Sequence, residues 1–177
     1  MEPEKAGHMT LDGYLKSSQS PREQLALFGQ HLTSIPGAIG FNNHMGSRLT
    51  ADSLAMAVLL RAVPRSWVVL DSRTSGRSQL ARLARSHFPT AERSHFLDND
   101  RSEEAIFGQL EHALAEAVTK GQAIAIGHTY QQTANAIKRF IHKHGNRFHV
   151  VPIERLSTPV AAPAWMRRCP PQLQAQR

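Results

Sequence analysis

Short apolar runs alternate with helical segments along most of this chain, and this alternation limits the folds it can adopt. Residues 67–70 and 123–126 are apolar at consecutive positions, which is typical of strands buried on both faces of a sheet. Helical segments separate such runs, so neighbouring strands are joined by helical crossovers. The pattern predicts an α/β fold in which parallel strands alternate with helices.

Capping residues and apolar periodicity define the predicted elements. Five helices are predicted, over residues 21–33, 51–62, 78–86, 102–120 and 131–144. Ser20 and Glu23 form a capping box at the first helix, Thr50 is predicted to cap the second, and Gly121 ends the fourth. Five strands are predicted, at residues 38–42, 67–70, 94–97, 123–126 and 148–153.

The composition fits one globular domain. The chain has 177 residues, of which 41% are hydrophobic and 20% charged, as in ordinary domains. The single cysteine, Cys169, excludes an intrachain disulfide framework and a Cys-rich zinc site. No window approaches the roughly 20 apolar residues of a membrane span. We place the domain at residues 1–156 and an unstructured tail, rich in Pro, Arg and Gln, at residues 157–177.

The formal net charge of +7 raises nucleic-acid binding as a function class. Lys and Arg are spread through every segment, with few aromatic residues among them, which does not match the usual pattern of a nucleic-acid site. We expect no specific nucleic-acid partner, only weak and salt-dependent association with DNA.

Polar side chains follow four of the predicted strands, at the point where each strand ends. These groups are Asn42-Asn43-His44, Asp71-Ser72-Arg73-Thr74, Asp98-Asn99-Asp100 and Gly127-His128. Because the carboxyl ends of parallel strands meet at one edge of a sheet, we expect these groups to converge on one cleft.

Two histidines are the first candidates for chemistry. His44 and His128 could coordinate a metal or move protons, since imidazole binds zinc and titrates near neutrality; alternatively, each is a loop histidine bonded to backbone. Asp71 either orients an imidazole, binds a ligand hydroxyl or holds a local turn, and Asp98 has the same alternatives. Arg73 could pair with a carboxylate or with Asp71 itself.

Other notable residues have structural explanations. Asp100 and Glu103 have the spacing of a capping box, and Gly46 and Gly127 are interpreted as turn residues. The remaining histidines are interpreted as structural, because we expect no polar cluster around them; they are His8, His31, His87, His95, His112, His142, His144 and His149. No Gly-x-Ser-x-Gly, His-Glu-x-x-His or Walker sequence is present.

Four ordered motifs resemble the divergent polysaccharide deacetylase family. They lie at residues 38–52, 70–75, 96–100 and 123–128, and the similarity extends over about residues 1–156. The resemblance implies part of a NodB-like distorted (β/α) barrel. It also implies a role in carbohydrate metabolism, with a glycan as partner: relatives remove N-acetyl or O-acetyl groups from polysaccharides with a divalent metal, for which we expect zinc.

The resemblance also implies roles for individual residues. His44 corresponds to a metal-site residue, and His128 to the histidine that protonates the leaving group. Asp71 is expected to be catalytic together with His128, and Asp71 and Arg73 would shape the floor of the site. The residues expected to bind the glycan are Asn42, Asn43, Arg73 and Asp98.

The chain departs from the family pattern at its beginning. Family members start with a strand ending in Asp-Asp and carry a histidine shortly before Met-Glu-Pro, whereas this chain starts at Met1-Glu2-Pro3. We therefore expect the remaining metal ligands upstream of Met1, with an export signal for the periplasm or cell envelope. By itself this polypeptide is expected to be marginally stable and a poor or inactive deacetylase. The alternative is a non-catalytic glycan-binding or cell-envelope accessory protein that uses the same cleft.

Overall fold

Parallel strands alternate with helices in the structure, a computed structural model that describes residues 1–4 and 13–158. The helices are α1 (Pro21–Thr33), α2 (Ser53–Leu60), α3 (Leu80–Ala84), α4 (Glu103–Lys120) and α5 (Gln131–His144). The strands are β1 (Gly40–Asn42), β2 (Val68–Asp71), β3 (Thr90–Glu92), β4 (His95–Phe96) and β5 (Ala125–Ile126). Short 3-10 helices lie at Leu49–Ala51 and Ile153–Arg155. The predicted α/β fold class is confirmed.

The strands form two parallel sheets that are joined by a short bend. β1, β2 and β3 pair in that order, and β4 pairs with β5. Arg93 and Ser94 connect β3 to β4; Arg93 N–H donates to the Asp71 carbonyl at 2.9 Å, and Ser94 N–H donates to the Ile124 carbonyl at 2.8 Å. The segment from β3 to β4 therefore changes partner from β2 to β5 at this point.

The start of α2 differs from its prediction. Leu49–Ala51 forms a 3-10 turn, and the capping residue is Asp52, not Thr50. The Asp52 carboxylate accepts hydrogen bonds from Leu54 N–H at 2.9 Å and Ala55 N–H at 3.0 Å. A carboxylate at the positive end of a helix is a stronger cap than a threonine hydroxyl.

Both ends of α4 are capped, but one predicted cap was wrong. Ser102 caps the first turn by accepting from Ala105 N–H at 3.3 Å, so Asp100 and Glu103 do not form the predicted capping box. The Asp100 carboxylate instead accepts the Ser102 N–H at 2.8 Å. Gly121 ends the helix as predicted, with a φ of 83° that favours glycine.

The strand predicted at residues 148–153 is absent, and β3 was missed. Pro152 lacks the N–H that a strand ladder requires, and the chain turns into the 3-10 helix at Ile153–Arg155. Thr158 instead pairs with Thr90 of β3 through two backbone hydrogen bonds of 2.8 and 3.1 Å. The tail predicted from residue 157 thus begins with bonded residues. Residues 159–177, including Cys169, lie outside the described residues, as does His8.

Two hydrophobic clusters support the sheets. The first joins α1, α2, α3 and β2, with Phe28, Met56 and Val69 among its buried members. The second lies between α4 and α5 around Ile106 and Phe140. Within the described residues, no helix has both the length and the apolar character needed to cross a membrane.

Candidate functional site

The ends of β1 and β5 bring two imidazoles together at the carboxyl edge of the strands. The ring centroids of His44 and His128 are 6.1 Å apart, and the rings meet edge to face at 87°. Both residues are exposed, as is Asn42 at the end of β1. The sequence predicts a cleft at this edge of the strands, and we keep the name cleft for the accessible surface of Asn42, His44, His128 and Tyr130.

The imidazole of His128 is held from behind by Asp98. Its Nδ1 lies 3.0 Å from Asp98 Oδ2 and 3.1 Å from Oδ1, and the same carboxylate accepts the backbone N–H of His128. The Asp98 side chain is only 2% exposed, whereas that of His128 is 53% exposed. A carboxylate accepts hydrogen bonds, so Nδ1 carries the proton that faces Asp98, and Nε2 is left for a ligand.

A turn with a glycine at its centre places His44. Gly46 has a φ of 91°, and a Cβ at this position would lie 2.7 Å from the Cβ of Met1, so the predicted turn role of Gly46 is confirmed. The amino group of Met1 donates to the carbonyl oxygen of His44 at 3.1 Å, and burial lowers the pKa of that amino group. The first residues of the chain therefore support the loop that carries His44.

The two asparagines after β1 have different environments. Asn43 is 1% exposed; its Oδ1 accepts from Ser72 N–H at 2.8 Å, and its Nδ2 donates to the Met45 carbonyl at 2.9 Å. Asn42 is exposed and donates through Nδ2 to Ser72 Oγ at 3.0 Å. Asn42 is thus accessible at the end of β1, whereas Asn43 fixes the loop that follows it.

Asp71 lies at the end of β2 and is 1% exposed. Its Oδ1 accepts from Arg73 N–H at 2.8 Å, and its Oδ2 accepts from Ser78 Oγ at 2.8 Å and Ala81 N–H at 3.2 Å. These contacts organise the β2–α3 loop and the first turn of α3. Three roles were predicted for Asp71: it orients an imidazole, binds a ligand hydroxyl or holds a local turn. Its hydrogen bonds match the local turn.

Arg73 pairs with a glutamate of the neighbouring strand. Its Nη1 lies 2.6 Å from Glu92 Oε1, and its backbone has a φ of 44°. The carbonyl oxygen of Arg73 accepts from Arg93 Nη2 at 2.8 Å. The guanidinium is directed along the sheet to Glu92, and not to Asp71.

Comparison with known proteins identifies the family. The family model for divergent polysaccharide deacetylases matches residues 1–157. This chain belongs to the divergent polysaccharide deacetylase family. The predicted resemblance is confirmed.

Two proteins of this kind show the extent of the similarity. The uncharacterized protein YibQ of Escherichia coli K12 is 31% identical over 130 residues, which cover 72% of this chain and 41% of YibQ. An uncharacterized protein of Haemophilus influenzae Rd is 39% identical over 98 residues, which cover 54% of this chain and 35% of that protein. This member of the deacetylase family spans less than half the length of both relatives.

A solved structure has the same fold. The crystal structure of the uncharacterized protein ATU2773 from Agrobacterium tumefaciens C58 matches with a TM-score of 0.81 at 22% identity. The match covers 88% of this chain and 65% of that one. The α/β arrangement of this deacetylase family member is therefore also found in an experimental structure.

The family resemblance implies a divalent metal, and the structure shows whether the described residues include enough ligands to hold one. A catalytic zinc takes three protein ligands and an open position. Within residues 1–4 and 13–158, no group of three or more His, Cys, Asp or Glu side chains is placed to hold a metal ion. The described residues therefore do not make a complete zinc site, and the assignment of His44 to a metal stays a prediction.

Sequence reasoning missed Tyr130, which borders His128, and Arg101, which stacks on Tyr130. The Tyr130 ring lies 5.4 Å from the His128 ring, and Arg101 Cζ lies 4.4 Å from the centre of the Tyr130 ring. The position of Tyr130, two residues after His128, was a signal for the first. Arg101 offered no comparable signal, because it precedes a helix that is far from Tyr130 in sequence.

No polar cluster was predicted around His95 and His144, but each of them contacts a glutamate. His95 Nε2 lies 2.8 Å from Glu116 Oε2, and His144 Nε2 lies 2.7 Å from Glu111 Oε1. Both glutamates belong to α4, so these contacts link that helix to β4 and α5. Their place among the helices, away from His44 and His128, agrees with a structural role.

Proposed function

We propose that this chain forms the acid–base side of a deacetylase site that binds an acetylated glycan in the cleft. The observation that carries the proposal is the pair formed by buried Asp98 and half-exposed His128, which faces His44 across the cleft. Membership of the deacetylase family supplies the reaction class.

His128 is proposed as the general acid. Hydrolysis adds water to the acetyl carbonyl carbon, and the bond from that carbon to the sugar nitrogen or oxygen breaks. The protonated Nε2 of His128 gives its proton to the leaving atom, which yields acetate and a free amine or hydroxyl group. Asp98 stabilises the imidazolium and fixes the ring orientation, so it acts as a positioning residue.

The other predicted residues divide by exposure. Asn42 is proposed to contact the glycan, because its amide is exposed beside Ser72. Arg73 is proposed to contact it only at the edge of the cleft, since its guanidinium pairs with Glu92. Asn43 and Asp71 are both 1% exposed. We propose that Asn43 positions the loop in place of its predicted contact with the glycan, and that Asp71 has a positioning role in place of its predicted catalytic role.

His44 is proposed as a metal ligand, with zinc as the expected ion because imidazole is one of its preferred ligands. The acid step assigned to His128 does not depend on this assignment. Titration of the purified chain with zinc tests it: His44→Ala is expected to abolish the strongest zinc binding, and equal binding by both proteins would contradict the assignment.

Acetate release from tetra-N-acetylchitotetraose and from an O-acetylated xylan oligosaccharide tests the proposed reaction. We expect slow release by the wild-type chain, because its described residues supply an acid–base pair without a complete set of metal ligands. His128→Gln should abolish release. His87→Gln is the matched control, since His87 is exposed and lies in the turn that follows α3.

Binding of the same oligosaccharides separates the two candidate functions. Acetate release that requires His128 supports the deacetylase proposal. Binding in the cleft that is unchanged by a chelator and gives no acetate favours the accessory glycan-binding function instead. Neither binding nor release would overturn both.

A further inference from the structure

We propose that Arg101 and Tyr130 form a subsite for an acidic sugar unit of the glycan that binds in the cleft. The carboxylate of that sugar would pair with Arg101. This inference rests on the proposed function and specifies its substrate class as a glycan that contains uronic acid. Tyr130 joins the subsite to His128, because the centres of these two rings lie 5.4 Å apart.

The geometry forms a continuous row of planar groups. The His44 ring meets the His128 ring at 6.1 Å, the His128 ring lies 5.4 Å from the Tyr130 ring at an angle of 32°, and the Arg101 guanidinium lies 4.4 Å from the centre of the Tyr130 ring. A glycan that follows this row passes from the proposed acid to a cation within a few side chains.

The Arg101 guanidinium is held in place by an aromatic ring and not by an acid. Stacking over tyrosine orders the side chain while it leaves the charge available. In the part of the chain that the structure describes, no ion pair includes Arg101, and its side chain donates no hydrogen bond. By contrast, Arg73, Arg85 and Arg139 each pair with a glutamate.

The acidic side chains closest to Arg101 in sequence have other partners. Asp100 accepts the Ser102 N–H at 2.8 Å, and Asp98 holds His128. Glu103 and Glu104 contact Arg139, with the Glu104 oxygen 2.6 Å from the guanidinium. The exposed guanidinium of Arg101 is therefore not neutralised by these carboxylates and can pair with an anion of a ligand.

A uronic acid matches both parts of the subsite. Guanidinium binds a carboxylate through two parallel N–H donors, a geometry that ammonium lacks. The partly exposed Tyr130 ring offers an apolar surface with a polar tip, which suits the apolar face and hydroxyl groups of a sugar. A neutral glycan would use the tyrosine but not the arginine.

The test compares two probes that differ only at their carboxyl groups. One is a hexasaccharide of alternating glucuronic acid and N-acetylglucosamine, and the other is the same hexasaccharide after reduction of its carboxyl groups to alcohols. Affinities are measured by calorimetry at one fixed salt concentration, and the His128 imidazole signals are followed by NMR. We expect the acidic probe to bind about tenfold more tightly than the reduced probe, as for a partly exposed charge-assisted contact.

Substitutions at Arg101 assign this preference to a residue. Arg101→Ala should bind both probes equally, and Arg101→Lys should keep a reduced preference, because it retains the charge without the planar group. Arg61→Ala is the matched control: it removes one exposed positive charge from the last turn of α2, at the opposite edge of the strands. This control should keep the full preference.

The outcomes distinguish the subsite from the proposed function. Equal binding of the two probes by the wild-type chain, or a preference that Arg101→Ala leaves intact, would overturn the subsite; perturbation of the His128 signals by the reduced probe would still support the glycan site. If neither probe binds, the subsite fails, and the glycan site fails with it only if tetra-N-acetylchitotetraose and the O-acetylated xylan oligosaccharide do not bind either.

Discussion

Asn43 accepts a hydrogen bond from the backbone N–H of Ser72 through its side-chain Oδ1, at 2.8 Å. The contact joins the loop after β1 to the loop after β2, at a point where both residues are buried. Asn42 also contacts this serine, because its Nδ2 donates to the Ser72 hydroxyl oxygen at 3.0 Å. One serine therefore sets the relative position of two strand ends. The cleft thus depends on a residue that does not line it.

Replacement of Asn43 by alanine should destabilise the protein by about 1–3 kcal/mol, because the buried Ser72 N–H would lose its acceptor. Urea unfolding measures the change. Asn42→Ala is the control, and we expect an effect below about 1 kcal/mol because Asn42 is exposed. Equal effects of the two substitutions would contradict the positioning role of Asn43.

Replacement of Asp98 by asparagine should alter the tautomer of His128. The carboxylate requires a proton on Nδ1, whereas an asparagine amide offers both a donor and an acceptor, so that requirement is lost. Nitrogen chemical shifts of the His128 ring report the change, with the His87 ring as internal reference. A His128 spectrum that is unchanged in Asp98→Asn would show that Asp98 does not fix the ring.

The arrangement of strand ends was predictable, whereas the direction of each side chain was not. Apolar runs and helix periodicity located most elements, and parallel pairing implied that His44 and His128 would meet. Asp98, however, had three alternatives in the sequence. Its contact with His128 depends on the pairing of β4 with β5, which joins residues about 30 positions apart in sequence.

β3 was missed because its residues show no apolar pattern in the sequence. Residues 90–92 are not an apolar run, and β3 exists because the ladder with β2 and the bridge to Thr158 bond its backbone on both sides. Such bonds are tertiary and leave no periodicity in a short segment. The strand predicted at residues 148–153 shows the converse, since its apolar residues include a proline and find no partner strand.

Replacement of Arg93 should destabilise the junction between the sheets. Its guanidinium donates to three carbonyl oxygens, those of Ser72 at 2.6 Å, Arg73 at 2.8 Å and Ser94 at 3.3 Å, and it lies 3.7 Å from the centre of the Phe96 ring. We expect Arg93→Ala to lower the free energy of unfolding by about 1–3 kcal/mol. Arg93→Lys should recover only part of the loss, because ammonium lacks the planar fork.

Arg82→Ala is the control for this prediction. Arg82 is exposed on α3 and contacts Gln79 through Nε at 2.6 Å, so its loss removes charge without freeing backbone carbonyls. A change below about 0.5 kcal/mol is expected. Full recovery by lysine at position 93 would contradict the role assigned to the guanidinium geometry.

The pairing of α4 with α5 should weaken in acid. Glu111 of α4 accepts from Lys143 Nζ at 2.9 Å and contacts His144 Nε2 at 2.7 Å. Hydrogen bonding from Lys143, followed by that from His144, lowers the pKa of Glu111 below its ordinary value of 4.5. A lowered carboxyl pKa stabilises the folded state above pH 4.5, and that contribution disappears as the pH falls through the lowered value.

Glu111→Gln should therefore be less stable than the wild type at neutral pH and should lose less stability in acid, so the two unfolding curves approach each other as the pH falls below 4.5. Thermal unfolding at a series of pH values measures this. Glu154→Gln is the control, because Glu154 is exposed in the 3-10 helix at Ile153–Arg155, and it should follow the wild type throughout. A constant difference between Glu111→Gln and the wild type at every pH would mean that the ionisation of Glu111 does not contribute to the pairing of the helices.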